Sequence, residues 1–236
     1  MKFIKKRKEP PTLKKYRETT PNAIYNKGFV DSNQLLKKFL LTEQGHICAY
    51  CMKRISLKRN SLNKPSIEVE HYLSQKKKPD LDLDFQNMLG VCNGYVLVAQ
   101  KDVSISSAKK IAHCDKSKEE LLLKKLNPLK NDIEKIISYD TDGAIVSVSN
   151  DIDVLQDLEI LNLNDGNLIK FRRDTIDLAK ELMIKKYPAK KWTKALIQKE
   201  IDLWKAKDKN DKFRPFCQIA IWFWEQQKKR NRYPVK

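Results

Sequence analysis

The fold is decided by the stretch His46-Ile47-Cys48-Ala49-Tyr50-Cys51, in which two residues separate two cysteines. Two more cysteines, Cys92 and Cys114, follow downstream. Four thiolates are the ligand set of a closed, tetrahedral structural zinc site. We therefore predict a zinc ion on Cys48, Cys51, Cys92 and Cys114, which reinforces a core too small to hold itself. The alternative is that one of the four is a buried free thiol.

The other cysteine, Cys217, lies on an apolar segment far from this set, and we expect it to be a core thiol. Clustered cysteines without an apolar signal segment indicate metal binding in a reducing compartment, so we expect a cytoplasmic location. The longest apolar stretch, 213–224, contains Arg214 and is too short to span a bilayer. We expect a soluble protein.

The composition is strongly basic, because 48 Lys and Arg residues outnumber 30 Asp and Glu residues and give a formal charge of +18. Such an excess indicates a polyanionic partner, either DNA or RNA. The alternative is a surface of solvated lysines. With 236 residues, of which 41% are apolar, the chain is long enough for two lobes with a substantial core.

The pattern predicts an α+β chain in three parts. Residues 1–30 are basic, contain Pro10-Pro11 and lack a sustained apolar period, which predicts an extended arm. Residues 31–130 carry the cysteines and are predicted to form the metal-binding domain. Residues 131–236 are predicted to form a mainly helical lobe that docks a partner or nucleic acid.

Within the central part, a helix is predicted to begin at Asp31. A strand is predicted to end at His71 and to pair with a second strand over 85–92. A further strand is predicted over 95–99. The capping pattern Ser117-x-x-Glu120 predicts a helix that begins near residue 115 and stops before residue 127.

The last part begins with a predicted hairpin over 139–149, centred on Asp142-Gly143. The four tryptophans beyond it favour core packing over base stacking. Helices are predicted over about 151–162, 165–186, 189–206 and 215–229.

Titratable side chains lie between the cysteines in sequence. The carboxylates of Glu70 and Asp115 suit Mg²⁺ or Mn²⁺, and the neutral imidazole of His71 can take a proton from water. Asn87 is predicted to tie the loop between the strands and so orient His71, unless it is a plain turn residue. The alternative for Asp115 is an N-cap. Together with the predicted zinc site, these carboxylate, imidazole and amide groups suit the hydrolysis of phosphodiester bonds.

The order of these residues resembles that of the HNH endonucleases, whose ββα-metal core cuts nucleic acid with one divalent cation. More narrowly, it is similar to the PtuB family, the HNH component of Septu and some retron anti-phage defence systems. The resemblance covers roughly residues 1–130. The motifs that carry it are Cys48-Ala49-Tyr50-Cys51, Glu70-His71, Asn87-Met88-Leu89-Gly90-Val91-Cys92, His113-Cys114-Asp115-x-x-Lys118 and Leu126-Asn127-Pro128-Leu129.

The resemblance implies a role for each matching residue. His71 would be the general base, Asn87 the positioning amide, and Glu70 and Asp115 the ligands of a catalytic Mg²⁺ or Mn²⁺ ion. The final ligand in the family is usually His or Asn, so His113 is the alternative to Asp115.

The spacing departs from the family pattern. In the family, a Cys-x-x-Cys pair directly precedes the last ligand. Here 21 residues separate Cys92 from Cys114.

The resemblance also implies a partner, a PtuA-like ABC/SMC ATPase, together with a retron RNA–DNA and reverse transcriptase where the system is a retron. The arm or the helical lobe would dock this ATPase, since the chain itself has no Walker-type loop. The lysines that flank the motifs are predicted to hold a phosphate backbone without reading bases. They are Lys76, Lys77, Lys78, Lys109, Lys110 and Lys118.

Two other functions fit the same residues. One is a zinc-stapled nucleic-acid-binding adaptor without catalysis, in which Glu70 is a surface acid and His71 a strand-end histidine. The other is a toxin component that cleaves RNA such as tRNA.

Overall fold

The computed structural model describes residues 1–58, 65–97, 110–188 and 192–230. They form a mixed α/β fold in which the described strands make three two-stranded antiparallel sheets. In chain order the helices and strands are α1 (Pro11–Thr19), α2 (Leu35–Glu43), β1 (Ile67–His71), β2 (Met88–Cys92), β3 (Tyr95–Leu97), β4 (Lys110–Ala112), α3 (Asp115–Lys118), α4 (Ile133–Ile136), β5 (Ile137–Tyr139), β6 (Ile145–Ser147), α5 (Ile152–Ile160), α6 (Gly166–Lys186), α7 (Lys194–Lys205) and α8 (Cys217–Arg230). Short 3₁₀ turns occupy Ser32–Gln34, Pro79–Leu81 and Phe85–Asn87.

The strand pair β1–β2 determines the relative positions of Cys92 and His71. It runs antiparallel from Ile67 opposite Cys92 to His71 opposite Met88. The predicted strand that ends at His71 is therefore confirmed. Its partner, predicted over 85–92, is confirmed only from Met88, because Phe85–Asn87 form a 3₁₀ turn. The register places Cys92 at one end of the strand pair and His71 at the other. A cysteine of the predicted zinc site and the predicted general base therefore lie at opposite ends of β1–β2.

The helix predicted from Asp31 is α2, which follows a 3₁₀ turn. The Asp31 carboxylate accepts the backbone N–H groups of Leu36 at 2.7 Å and Lys37 at 3.3 Å, which satisfies donors in the first turn. After α2 the chain turns at Gly45, whose φ is +57°. This turn delivers the chain to the cysteine-bearing stretch.

The first 30 residues do not form the predicted extended arm. They contain the helix α1, and the side chains of Met1, Ile4 and Leu13 are buried in the core. The Ile4 N–H donates to the Pro128 carbonyl at 2.8 Å, which pins the segment to the rest of the fold. The prediction was wrong because a few widely spaced apolar side chains give no sequence period, yet each fills a place in the core.

The hairpin predicted at Asp142-Gly143 is confirmed as β5–β6. The Asp140 carboxylate accepts the N–H groups of residues 142, 143 and 144, which closes the turn. The predicted strand after Cys92 is also confirmed in the part described. It is β3, and it pairs with β4.

The helix predicted from residue 115 toward residue 127 is wrong in its length. α3 contains four residues, and Glu119, with φ at +49°, ends it. Farther on, the backbone N–H groups of Lys124, Lys125 and Leu126 donate to the buried carboxylate of Asp157. This long-range acceptor satisfies donors that the predicted helix would have used internally, so tertiary structure overrides the local capping pattern.

The predicted helices of the last part are α5, α6, α7 and α8. Trp204 and Trp224 are fully buried, and the Trp192 ring meets the Trp224 ring edge-on with centroids 5.4 Å apart. The predicted core-packing role of these tryptophans is confirmed. Cys217 is buried at the start of α8, as expected for a core thiol.

Buried side chains from residue 1 to residue 224 form one continuous apolar core. The segment between α7 and α8 docks on the cysteine-bearing turn, where the Phe213 N–H donates to the Gly45 carbonyl at 3.0 Å. The Phe216 N–H donates to the Met52 carbonyl at 3.1 Å. Across the described ranges, no helix combines the length and the apolar character needed to cross a membrane.

Candidate metal centre and active site

Four cysteine thiols converge from three parts of the chain. Cys48 and Cys51 follow α2, Cys92 ends β2, and Cys114 precedes α3, with all Sγ atoms within 4.8 Å of one another. The Sγ–Sγ distance is 3.8 Å for Cys51 and Cys92 and 3.9 Å for Cys48 and Cys114. A tetrahedral ion with Zn–S bonds of about 2.3 Å needs Sγ–Sγ distances of about 3.8 Å. The predicted cluster is therefore confirmed, and it is shaped to hold a metal ion such as zinc.

Gln44 joins the cysteine-bearing turn to β2. Its Nε2 donates to the Ile47 carbonyl at 2.9 Å and to the Gly90 carbonyl at 2.7 Å, and its Oε1 accepts the Gly90 N–H at 2.7 Å. The side chain is buried, so these bonds hold Cys48 and Cys51 beside the strand that ends in Cys92. Sequence analysis missed Gln44, because a glutamine at the end of a helix carries no recognisable signal.

The pair β3–β4 explains the long spacing between Cys92 and Cys114. Its strands run antiparallel, so the chain returns close to the point where it left. The His113 N–H donates to the Gly94 carbonyl at 2.7 Å, which joins the residue before β3 to the residue after β4. Cys114 therefore arrives beside Cys92 despite the intervening residues.

His113 belongs to the cysteine cluster. Its side chain is fully buried, and its Nδ1 lies 3.1 Å from the Cys114 Sγ and 3.9 Å from the Cys92 Sγ. An imidazole N–H in this position can donate to a thiolate ligand and support its negative charge. The structure thus places His113, the alternative to Asp115, against the thiols.

A cavity of about 400 Å³ lies at the opposite end of β1–β2, and Glu70, His71 and Asp115 line it. Although consecutive strand residues alternate sides, Glu70 and His71 both reach this cavity, because β1 ends there. The N-terminal segment contributes Tyr25 and Asn26 to the wall. Sequence analysis did not predict that contribution.

A larger cavity, of about 680 Å³, lies beside α1. Among its lining residues, Arg17 and Glu9 pair with each other at 2.8 Å. The smaller cavity is the candidate active site, because the Glu70 and Asp115 carboxyls and the His71 imidazole line it.

Glu70 is held from two sides. Its Oε1 accepts the Tyr50 hydroxyl at 3.1 Å and lies 2.8 Å from the Lys118 ammonium. Burial, and then the adjacent Asp115 carboxyl, raise the pKa of Glu70 to about 8. The Glu70 and Asp115 carboxyls both line the cavity, and such a pair of oxygen donors suits a hard divalent cation.

His71 is oriented by a backbone carbonyl. Its Nε2 lies 2.8 Å from the Asp82 carbonyl oxygen, which can only accept, so Nε2 carries the proton and Nδ1 keeps a lone pair. The Tyr25 ring packs edge-on against the imidazole at 5.0 Å, and the Tyr25 N–H donates to the Asp82 carboxylate at 2.6 Å. Burial lowers the pKa of His71 below its ordinary value. The imidazole is therefore neutral at neutral pH.

Asn87 ties the loop after β1, as predicted. Its Oδ1 accepts the Leu73 N–H at 2.8 Å, and its Nδ2 donates to the Leu73 carbonyl at 2.9 Å. Its own carbonyl accepts the Tyr72 N–H at 2.8 Å. These bonds fix the two residues that follow His71.

The lysines predicted to hold phosphate are not equivalent. Lys76, Lys77 and Lys78 are exposed, and Lys76 lines the cavity and pairs with Glu120 at 3.0 Å. The backbone of Lys110 is part of β4, and Lys109 lies outside the described residues.

Lys118 differs from the prediction. Its side chain is fully buried and paired with Glu70, so it does not belong to a surface that could hold a phosphate backbone.

No family model matches this chain, and no curated protein is similar to it at a significant level.

Proposed function

We propose that this chain is a metal-dependent HNH endonuclease that hydrolyses phosphodiester bonds of nucleic acid. The observation that carries the proposal is the hydrogen bond between His71 Nε2 and the Asp82 carbonyl. It leaves Nδ1 able to accept a proton, and His71 lines a cavity that the Glu70 and Asp115 carboxyls also line. A neutral, oriented imidazole beside a candidate cation site has the attributes of a general base that activates water.

The roles of the other residues follow from their contacts. Asn87 holds the loop that fixes the direction of His71, and Tyr25 packs against the ring. Glu70 and Asp115 would hold Mg²⁺ or Mn²⁺. Such an ion would stabilise the negative charge that develops on the leaving oxygen.

The order of elements supports an HNH-type ββα-metal core. β1 carries Glu70 and His71, β2 follows Asn87, and α3 begins at Asp115. The cysteine cluster holds the far end of the same ribbon, which suits a structural zinc. The pair β3–β4 is then an insertion between β2 and the last helix of the core.

We also propose that the chain acts in anti-phage defence with a PtuA-like ABC/SMC ATPase. This part rests on the resemblance of the motifs to PtuB, which is analogy rather than site chemistry. Because Met1, Ile4 and Leu13 anchor the first part of the chain in the core, the outer faces of α5 to α8 are the better docking surface. Exposed apolar side chains such as Ile152 and Ile184 are available there.

The test is a cleavage assay with the zinc-loaded chain, alone and with the ATPase encoded beside it. DNA, tRNA and mRNA are each offered with Mg²⁺, with Mn²⁺ and without either. We expect cleavage that requires the divalent cation. Cleavage of tRNA alone would favour the toxin component, and binding without cleavage in every arm would favour the adaptor.

A variant tests the general base. His71→Ala is expected to lower the cleavage rate at least ~10²-fold, because general-base catalysis contributes that much. Its zinc content and circular dichroism spectrum should match those of the wild type. Near-normal turnover by the folded variant would refute the role of His71.

A further inference from the structure

Lys118 is a buried cation in contact with Glu70, which lines the candidate active-site cavity. Its side chain has no exposed surface, and its Nζ lies 2.8 Å from the Glu70 Oε1. The Tyr50 hydroxyl occupies the same carboxylate oxygen at 3.1 Å. Glu70 therefore has Oε1 engaged by two protein groups, and its carboxyl also lies within hydrogen-bond reach of the Asp115 carboxyl.

The local charges do not balance a divalent cation. With a cation bound, both ligand carboxyls, Glu70 and Asp115, are ionised and supply two negative charges, and Lys118 removes one. Lys116 lies 3.4 Å from the Asp115 Oδ2, but it also pairs with Glu68 at 2.7 Å, so these two add no net charge. Glu70, Asp115 and Lys118, the groups nearest the proposed ion, then carry about one net negative charge, and one phosphate group of a nucleic acid would supply a second. Lys76 and Glu120 also line the cavity but pair with each other at 3.0 Å, and Glu119 there is exposed to solvent.

We propose that Lys118 is a positioning residue that makes the catalytic cation bind weakly until a substrate phosphate is present. This inference rests on the proposed function, because it concerns the cation site assigned there. An ammonium this close to a ligand carboxylate repels a divalent cation through a medium that screens poorly. Sites for Mg²⁺ are commonly completed by one or two carboxylates together with substrate phosphates. A phosphate that arrives with the nucleic acid offsets the repulsion.

The same lysine keeps the site ordered when no cation is bound. A buried, ionised Glu70 next to the partly exposed Asp115 carboxyl is unfavourable without a neighbouring positive charge. Lys118 supplies that charge from within the protein. Metal loading and substrate binding would then be coupled, so the chain would not hold a fully charged catalytic site in the absence of nucleic acid.

The chain offers a matched control for the loss of a buried lysine. Lys6 is nearly buried and pairs at 2.9 Å with the buried Glu43, yet neither residue lines the candidate active-site cavity. A purely structural effect of removing an ammonium should appear in Lys6→Met as well. An effect on the cation site should appear only at Lys118.

The experiment measures Mn²⁺ binding to the zinc-loaded chain without nucleic acid, from the electron paramagnetic resonance signal of free Mn²⁺. We expect Lys118→Met to bind Mn²⁺ about tenfold more tightly than the wild type, because the repulsion is removed. Lys6→Met should bind as the wild type does, and Glu70→Gln should lose the site. Lys118→Gln, which keeps a polar group, is expected to behave like Lys118→Met and serves if the latter does not fold.

Unchanged or weaker Mn²⁺ binding in a folded Lys118 variant would overturn the inference. This readout does not depend on cleavage. If the Lys118 variants bind Mn²⁺ more tightly but the wild type cleaves no nucleic acid, the inference stands and the proposed nuclease function is contradicted. Conversely, an active wild type whose Lys118 variants bind Mn²⁺ no more tightly would retain the nuclease and reject the role of Lys118. As a second readout, the Mn²⁺ concentration for half-maximal cleavage should fall in Lys118→Met.

Discussion

A few side chains position the candidate active site by binding backbone groups. The Asp82 carbonyl fixes which nitrogen of His71 carries the proton, and Asn87 fixes the loop that follows it. Each bond is ordinary in strength, about 1 kcal/mol. These bonds can affect the cleavage rate more than they affect stability, because a general base must lie within hydrogen-bond reach of the water that it activates.

Asn87→Ala is predicted to lower cleavage roughly 10²-fold, because a displacement of His71 by about 1 Å has an effect of that size. The control is Asn164→Ala. Asn164 forms the same pair of bonds to one residue, accepting the Ile145 N–H at 2.8 Å and donating to its carbonyl at 2.9 Å. Both variants should lose similar thermal stability, and only Asn87→Ala should lose activity per folded molecule. Equal activities would contradict the positioning role.

At the scale of elements, the turn between α2 and the first two cysteines connects distant parts of the chain. Gly45 has a φ of +57°, and its carbonyl accepts the Phe213 N–H. A Cβ at residue 45 would overlap the Phe213 ring. The close approach of these two segments therefore requires a glycine.

Gly45→Ala is predicted to destabilise the protein by about 2 kcal/mol or more, from left-handed backbone strain and overpacking against Phe213. Gly166→Ala is the control, because a Cβ at the first residue of α6 meets no atom within 4 Å. That change should stay within about 0.5 kcal/mol of the wild type. Urea unfolding monitored by tryptophan fluorescence measures both, and equal midpoints would show that the turn tolerates a side chain.

At the scale of the whole molecule, the cysteine cluster joins segments that are far apart in sequence. A zinc ion on it would bridge the turn after α2, the end of β2 and the start of α3. The apparent free energy of structural zinc binding, about 10–16 kcal/mol in small zinc domains, is as large as the stability of a typical domain. The folded state of the chain should then depend on the metal.

Cys51→Ser is predicted to unfold the chain or make it insoluble, and the wild type should contain about one zinc ion per chain by elemental analysis. Cys217→Ser is the control, since that thiol is buried in α8 and belongs to the apolar core. It should retain zinc and fold. Soluble, active wild-type protein without zinc would contradict this model.

The sequence by itself determined the local features. Strand alternation indicated β1, the turn pair Asp142-Gly143 indicated the β5–β6 hairpin, and the cysteine spacing indicated the cluster. These could be predicted because periodicity, turn chemistry and ligand type are properties of neighbouring residues. Helical periods indicated α5 to α8 for the same reason.

Only the tertiary structure decided the features that depend on partners distant in sequence. The helix α3 ends at its C-cap residue, Glu119, and the Asp157 carboxylate takes the backbone N–H groups of Lys125 and Leu126 that the predicted helix would have used. The core buries Met1 and Leu13 of the segment predicted as an arm. Lys118, which the sequence predicts to be a surface cation, is buried and pairs with Glu70. The physical reason is the same in each case. A buried donor, acceptor or charge must find a partner, and the fold supplies that partner from elsewhere in the chain.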